Sequence, residues 1–162
     1  MRADNNQNIR EDVSFIKELA QNIRTNVEQV IVGKTDVIDL TLTALIAQGH
    51  VLLDDVPGTG KTKLARSIAR SIDAGFSRVQ FTADLLPSDL TGIHYYNQKE
   101  SEFVFRAGPL FSNILLADEI NRATARTQSS LLECMEERQI TVDGETMILD
   151  RPFLVIATQN PV

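Results

Sequence analysis

Apolar positions fall at helical spacing through the first third of the chain and cluster into short continuous runs after it. Val13, Ile16, Leu19 or Ala20, Ile23 and Val27 recur at steps of three and four, which predicts an amphipathic helix over residues 5–29. Val30-Ile31-Val32-Gly33 breaks that period. A second helix is predicted over 34–48, with Val37, Leu40 or Thr41, Ala44, Leu45 and Gln48 on its face and Gly49 as its cap. The next segments read as a strand at 50–54, a helix at 61–71 with Leu64, Ile68 and Ile72 on one side, and a strand at 78–81. A short helical turn is predicted at 84–90, where Pro87 is tolerated only near a helix start.

Residues 93–96 and 103–105 flank a polar turn and predict a hairpin. A buried strand at 113–118 leads into a helix at 122–137 bearing Leu131, Leu132 and Met135. A second hairpin, 139–142 with 146–149, turns on Asp143-Gly144, a strong two-residue hairpin signal, and a last strand lies at 153–157. Helices alternating with all-apolar strands predict an α/β domain with a mainly parallel sheet and helices on both faces.

Chemistry enters at the junction of the first strand with the third helix. Val51-Leu52-Leu53 runs into Asp54-Asp55-Val56-Pro57-Gly58-Thr59-Gly60-Lys61-Thr62. A strand feeding a Gly-rich turn that opens a helix aims backbone N–H groups and the positive end of the helix dipole at one spot, an arrangement suited to phosphate. Gly58 and Gly60 permit close approach, Lys61 can neutralise β and γ phosphates, and the Thr62 hydroxyl can ligate magnesium. The candidate nucleotide contacts are Pro57, Gly58, Thr59, Gly60, Lys61, Thr62 and Lys63. Asp55 departs from the full pattern, which has Gly there, and must point away from phosphate or cap the turn.

Two further strand ends carry polar groups. Ile114 to Ala117 delivers Asp118 and Glu119 at a carboxyl end, where ligands of open α/β sheets bind. Asp118 is placed to hold magnesium with Thr62, and Glu119 to polarise a water attacking the γ phosphate. Leu154 to Ala157 ends in Thr158-Gln159-Asn160-Pro161, where an amide can reach the γ phosphate. Each of these acids and amides alone reads as a solvated strand end; joined to the phosphate loop they read as one site.

Composition narrows the classes. The 162 residues, 43% hydrophobic, suffice for one compact domain with a core. A net charge of -6 counts against binding to nucleic-acid phosphates as the main task. The single cysteine, Cys134, sits in a helical pattern without a nearby His and reads as a packing residue. No apolar run is long enough to span a bilayer, and the polar start Met1-Arg2-Ala3-Asp4 lacks a signal-peptide core, so a cytoplasmic location is expected. His94, Tyr95 and Tyr96 fall in the first hairpin, where a half-buried strand accounts for them better than metal binding.

The phosphate loop, the Asp118-Glu119 strand and the Thr158 to Pro161 strand end resemble the Walker A, Walker B and sensor 1 motifs of the AAA+ ATPases. Gln80 to Asp89, Gly108-Pro109-Leu110-Phe111, Ala117 to Ala123, Thr127-Gln128 and Ala157 to Pro161 narrow the resemblance to the MoxR family, over about residues 25–162. The resemblance implies a P-loop ATPase core over residues 30–162, preceded by a helical segment over 1–29. It implies ATP and magnesium as ligands, an adenine pocket at Val32 and Gly33, and two inserted hairpins. Sensor 1 falls on Asn160, with Gln159 as the alternative. Arg122 and Arg126 either face a neighbouring subunit or are solvated.

Family members carry an arginine finger after the sensor 1 strand and a helical lid beyond it. The chain stops at Val162, so it is expected to be the N-terminal part of a longer ATPase, to bind nucleotide weakly and to turn over very slowly. The whole protein is expected to form a hexameric ring that remodels or matures a protein client, with a von Willebrand factor A domain protein as a possible partner. A magnesium-chelatase-like ATPase subunit and a DNA-directed motor are the alternative readings.

Overall fold

The structure is a computed structural model of the chain; it describes the backbone of residues 2–54 and 58–159, and side chains from residue 12 onward within those ranges. Two helices come first, α1 (Arg2–Glu28) and α2 (Thr35–Ile46). The core follows as β1 (Val51–Asp54), α3 (Lys61–Ser71), β2 (Phe76–Gln80), α4 (Pro87–Thr91), β3 (Gly92–Asn97), β4 (Glu102–Ala107), β5 (Ile114–Asp118), α5 (Ala125–Glu137), β6 (Gln139–Val142), β7 (Glu145–Ile148) and β8 (Leu154–Gln159). Single 3-10 turns at Pro109–Phe111 and Ile120–Arg122 bracket β5.

Four strands form one parallel sheet in the order β1-β8-β5-β2. Every residue of β5 is buried, as the all-apolar run required. Because side chains alternate across a strand, Ile114 and Leu116 pack with Ala65 and Ala69 of α3, while Leu115 and Ala117 pack on the opposite face with Leu131 and Cys134 of α5. The expected sheet with helices on both faces is thus the observed architecture. Ile23 and Val27 of α1, Ile38 and Leu42 of α2, and Leu64 and Ile68 of α3 make a third cluster beside it.

Several boundaries and faces differ from expectation for local reasons. The predicted helix 122–137 starts three residues late, at Ala125, because Arg122 belongs to the 3-10 turn Ile120–Arg122 and Thr124 caps α5 by accepting from the Thr127 N–H. In α2 the deeply buried positions are Ile38, Thr41 and Leu42, and Leu40 is exposed. The helix ends through Gln48 (φ 56°) with the Gly49 N–H on the Ala44 carbonyl at 2.7 Å, so Gln48 and not Gly49 supplies the left-handed residue. In α1 the predicted stripe is buried only at Ile23 and Val27; Val13, Ile16 and Leu19 are exposed.

Both hairpins form. His94 stacks obliquely on Phe105 and bonds Asp143 in the turn of the second hairpin, Nδ1 to Oδ2 at 2.9 Å, so its role here is to join the hairpins. Gly92 (φ 96°) at the base of β3 is obligatory, since a Cβ there would lie 2.7 Å from the Gly108 nitrogen. Cys134 is buried, and desolvation pushes its thiol up to about 11, which keeps it protonated and unreactive.

Candidate functional site

The carboxyl ends of β5 and β8 and the start of α3 meet at one cleft of about 390 Å³. Gly58, Thr59, Gly60, Lys61, Thr62 and Lys63 form one wall, and Asp118, Glu119 and Thr158 form another. Residues some sixty positions apart in sequence are brought together because β8 lies between β1 and β5.

The phosphate-loop wall follows from its glycines. Gly58 and Gly60 adopt φ of 87° and 88°, and a Cβ at either would meet no atom closer than 3.9 Å. The requirement is therefore for left-handed backbone rather than for space. Gly60 caps α3 without a side chain, and the first bond of the helix runs from the Leu64 N–H to the Gly60 carbonyl at 2.9 Å. The first N–H groups of a helix have no partner within it, so the start of α3 carries donors at the positive end of the helix dipole. Thr59, which lines the cleft, has a buried Oγ1 that makes no hydrogen bond within the described residues.

The acidic wall is an ordered network. Asp118 is buried, and its Oδ2 accepts from the Arg78 Nε at 2.7 Å. Thr158 Oγ1 donates to Asp118 Oδ1 at 3.2 Å and accepts from the Glu119 N–H at 3.0 Å, fixing the two acids relative to each other. The Glu119 side chain accepts from Gln80 Nε2 at 2.7 Å and pairs with Arg122 Nε at 3.0 Å through the same oxygen, Oε2. Arg122 thus braces Glu119, while Arg126 is exposed on α5.

The structure also contains side chains that sequence reasoning passed over. Arg78 and Gln80 line the same cleft, and Thr158 ties the two acids together. A signal for the first pair exists: polar residues at positions 78 and 80 of a strand share a face. It becomes meaningful only once β2 is known to lie beside β5 with Gln80 opposite Asp118.

Of the other sequence-predicted site residues, Gly33 (φ 77°) turns the chain between α1 and α2, and Val32 is 87% exposed. Neither lines the smaller cleft of about 210 Å³ on the far side of the phosphate loop. Ile31, Val37 and Leu64 supply its apolar wall, with Lys34 at its edge, because the chain turns Ile31 inward against α2 and α3 and leaves Val32 in solvent. Gln159 ends β8. Asp55, Pro57 and Asn160 lie outside the described residues.

The donor set fits a nucleotide with a divalent cation: the N–H groups at the start of α3 and Lys61 for phosphate, and a hydroxyl from Thr62 with a carboxylate from Asp118 for a hard cation. Among the described residues no helix is long and apolar enough to cross a membrane.

Comparisons agree with this geometry. Residues 50–162 match the ATPase family associated with various cellular activities (AAA). The chain is 60% identical over 137 residues to the uncharacterized protein YeaC of Bacillus subtilis, covering 85% of this chain and 43% of that protein. It is 48% identical over 136 residues to Chaperone MoxR1 of Mycobacterium tuberculosis, covering 84% and 36%. A crystal structure described as a candidate ATPase from Cytophaga hutchinsonii superposes with a TM-score of 0.85 at 45% identity, covering 96% of this chain and 47% of that one. The chain therefore spans less than half the length of these relatives.

Proposed function

The chain belongs to the AAA family of ATPases, in its MoxR branch, and from that premise we propose that it binds ATP with magnesium, hydrolyses the γ phosphate and uses the cycle to remodel or mature protein complexes. The observation that carries this reading is the convergence of the α3 N-terminus and the Asp118-Glu119 strand end on one cleft.

In the proposed division of labour, the N–H groups of the Gly58 to Lys63 segment and the Lys61 ammonium bind the phosphates. Thr62 and Asp118 are the residues to hold magnesium, which when bound neutralises charge on the β and γ oxygens. Ile31 and Val37 offer an apolar wall for the base, in place of Val32 and Gly33. Glu119 acts as the base that orients the attacking water and accepts its proton. To do so its carboxylate has to turn from Gln80 and Arg122, which hold Oε2 in the observed arrangement. Asn160, or Gln159 beside it, is the residue proposed to sense the γ phosphate. Assembly into a hexameric ring, a protein client and a von Willebrand factor A domain partner belong to the same proposal, supported by the relation to a named chaperone.

The test separates binding from turnover. Lys61→Ala should abolish binding of a fluorescent ADP analogue. Glu119→Gln should leave that binding within about twofold while lowering single-turnover phosphate release roughly a hundredfold or more, the usual scale for losing a general base. Unimpaired binding by Lys61→Ala, or undiminished release by Glu119→Gln, would refute the assignment.

A further inference from the structure

Arg78 stands in the nucleotide cleft with a partner that the proposed chemistry needs for another purpose. Its Nε donates to Asp118 Oδ2 at 2.7 Å, while the other carboxylate oxygen accepts from Thr158. Both oxygens of the residue proposed to hold magnesium are therefore engaged within the protein. The two ends of the ion pair differ in freedom. The Asp118 side chain is 12% exposed and anchored by Thr158, whereas the Arg78 side chain is 50% exposed at the mouth of the cleft. Arg78 projects from β2, an edge strand of the sheet, and its half-exposed side chain has solvent available for the guanidinium when it leaves.

We propose that Arg78 is a built-in competitor for the divalent cation: it neutralises Asp118 while the metal is away and is displaced from Oδ2 when the cation arrives with nucleotide. The inference rests on the nucleotide-and-magnesium reading above and adds a regulatory residue to it. Burial makes the neutralising role necessary, since an unpaired carboxylate in a mostly enclosed position is costly and would repel incoming phosphates. Exposure of the guanidinium makes displacement feasible, because a half-solvated ion pair is worth little once a divalent charge offers a stronger interaction. Arg78 thereby trades affinity for magnesium against tolerance of metal-free nucleotide.

A substitution that removes the cation must then act with opposite sign in the two conditions. Arg78→Met keeps the aliphatic stem and removes the charge. With the fluorescent ADP analogue and EDTA, it should bind roughly three- to tenfold more weakly than wild type, the range expected for losing a partly exposed charge-assisted pair beside phosphate. In a magnesium titration its half-saturation should move to a lower concentration by a similar factor. Arg78→Lys should fall between, because an ammonium keeps the charge but not the fixed guanidinium fork. In an Asp118→Asn background, Arg78→Met should lose its effect in EDTA.

A parallel loss of affinity in EDTA and in magnesium would overturn the inference, making Arg78 a direct nucleotide contact or a structural residue. An unchanged or raised magnesium half-saturation would overturn it as well. Failure of the wild-type protein to bind nucleotide in either condition would sink the underlying nucleotide reading, and this inference with it.

Discussion

Strand β5 and the stretch of helix α1 from Val13 to Leu19 carry comparably clear apolar patterns, yet one is buried and the other is exposed. β5 lies between β8 and β2, with α3 on one face and α5 on the other, and its four apolar residues are fully enclosed. In α1, Ile23 and Val27 enter the cluster with α2 and α3, whereas Val13, Phe15, Ile16 and Leu19 have between 42% and 67% of their surface exposed. Periodicity thus specifies which element forms and which face is apolar. How far that face is buried depends on whether another element arrives to cover it, and α2 and α3 cover Ile23 and Val27 of α1 but not Val13 to Leu19.

The contrast can be broken by mutation. The largest effect is expected at Leu116, which packs between the central strands and α3. Leu116→Ala should destabilise by about 3 kcal/mol or more in chemical denaturation, from lost transfer energy and the cavity left behind. Val27→Ala, at the covered end of α1, should cost about 1–2 kcal/mol, because fewer methyl groups are removed. Phe15→Ser, on the uncovered end, should shift stability by less than about 0.5 kcal/mol, the range for surface substitutions. A loss at Phe15 matching that at Val27 would show that the two halves of α1 are equally engaged in solution, and the comparison would fail.

A pH experiment sharpens the same contrast from the sheet side. His50, just before β1, accepts from the Val155 N–H at Nδ1 (3.0 Å), and its Nε2 lies 3.0 Å from the Met135 carbonyl, to which it donates as the neutral Nε2–H tautomer. Burial lowers its pKa, with the nearby Arg138 adding to the shift against the opposing Met135 hydrogen bond. Since the folded value lies below the unfolded one, the unfolded chain binds the extra proton first as pH falls. Stability is therefore complete above about pH 6.5, the unperturbed value, and declines below it toward the lowered folded value. Thermal melts at pH 7.5 and pH 5.5 should show this decline, and His50→Gln should make it shallower. A slope identical in the variant would remove His50 as its source.

Much of the proposed site is legible as local sequence. Gly58, Gly60, Lys61 and Thr62 follow an apolar strand and precede an amphipathic helix, and Asp118 and Glu119 end an all-apolar run. Both are local arrangements whose chemistry depends on adjacent residues. Val32, expected at an adenine pocket, lies in solvent while its neighbour Ile31 lines the cleft beside the loop, since a short apolar run without period does not reveal which residue the turn at Gly33 directs inward. The later start of α5 was also hidden. It depends on a 3-10 turn entered through a left-handed Glu119 and on the Thr124 cap, which together hold residues 120–124 out of the helix.

By itself, then, the sequence determined most of the elements, the class of the sheet and the residues proposed to handle phosphate, because these follow from periodicity and from short-range backbone chemistry. Tertiary structure alone decided strand order, and with it the pairing of Arg78 with Asp118, of Gln80 with Glu119 and of Thr158 with both acids. Those contacts join residues about forty positions apart, and only the insertion of β8 and β2 on either side of β5 brings their polar atoms within hydrogen-bond range.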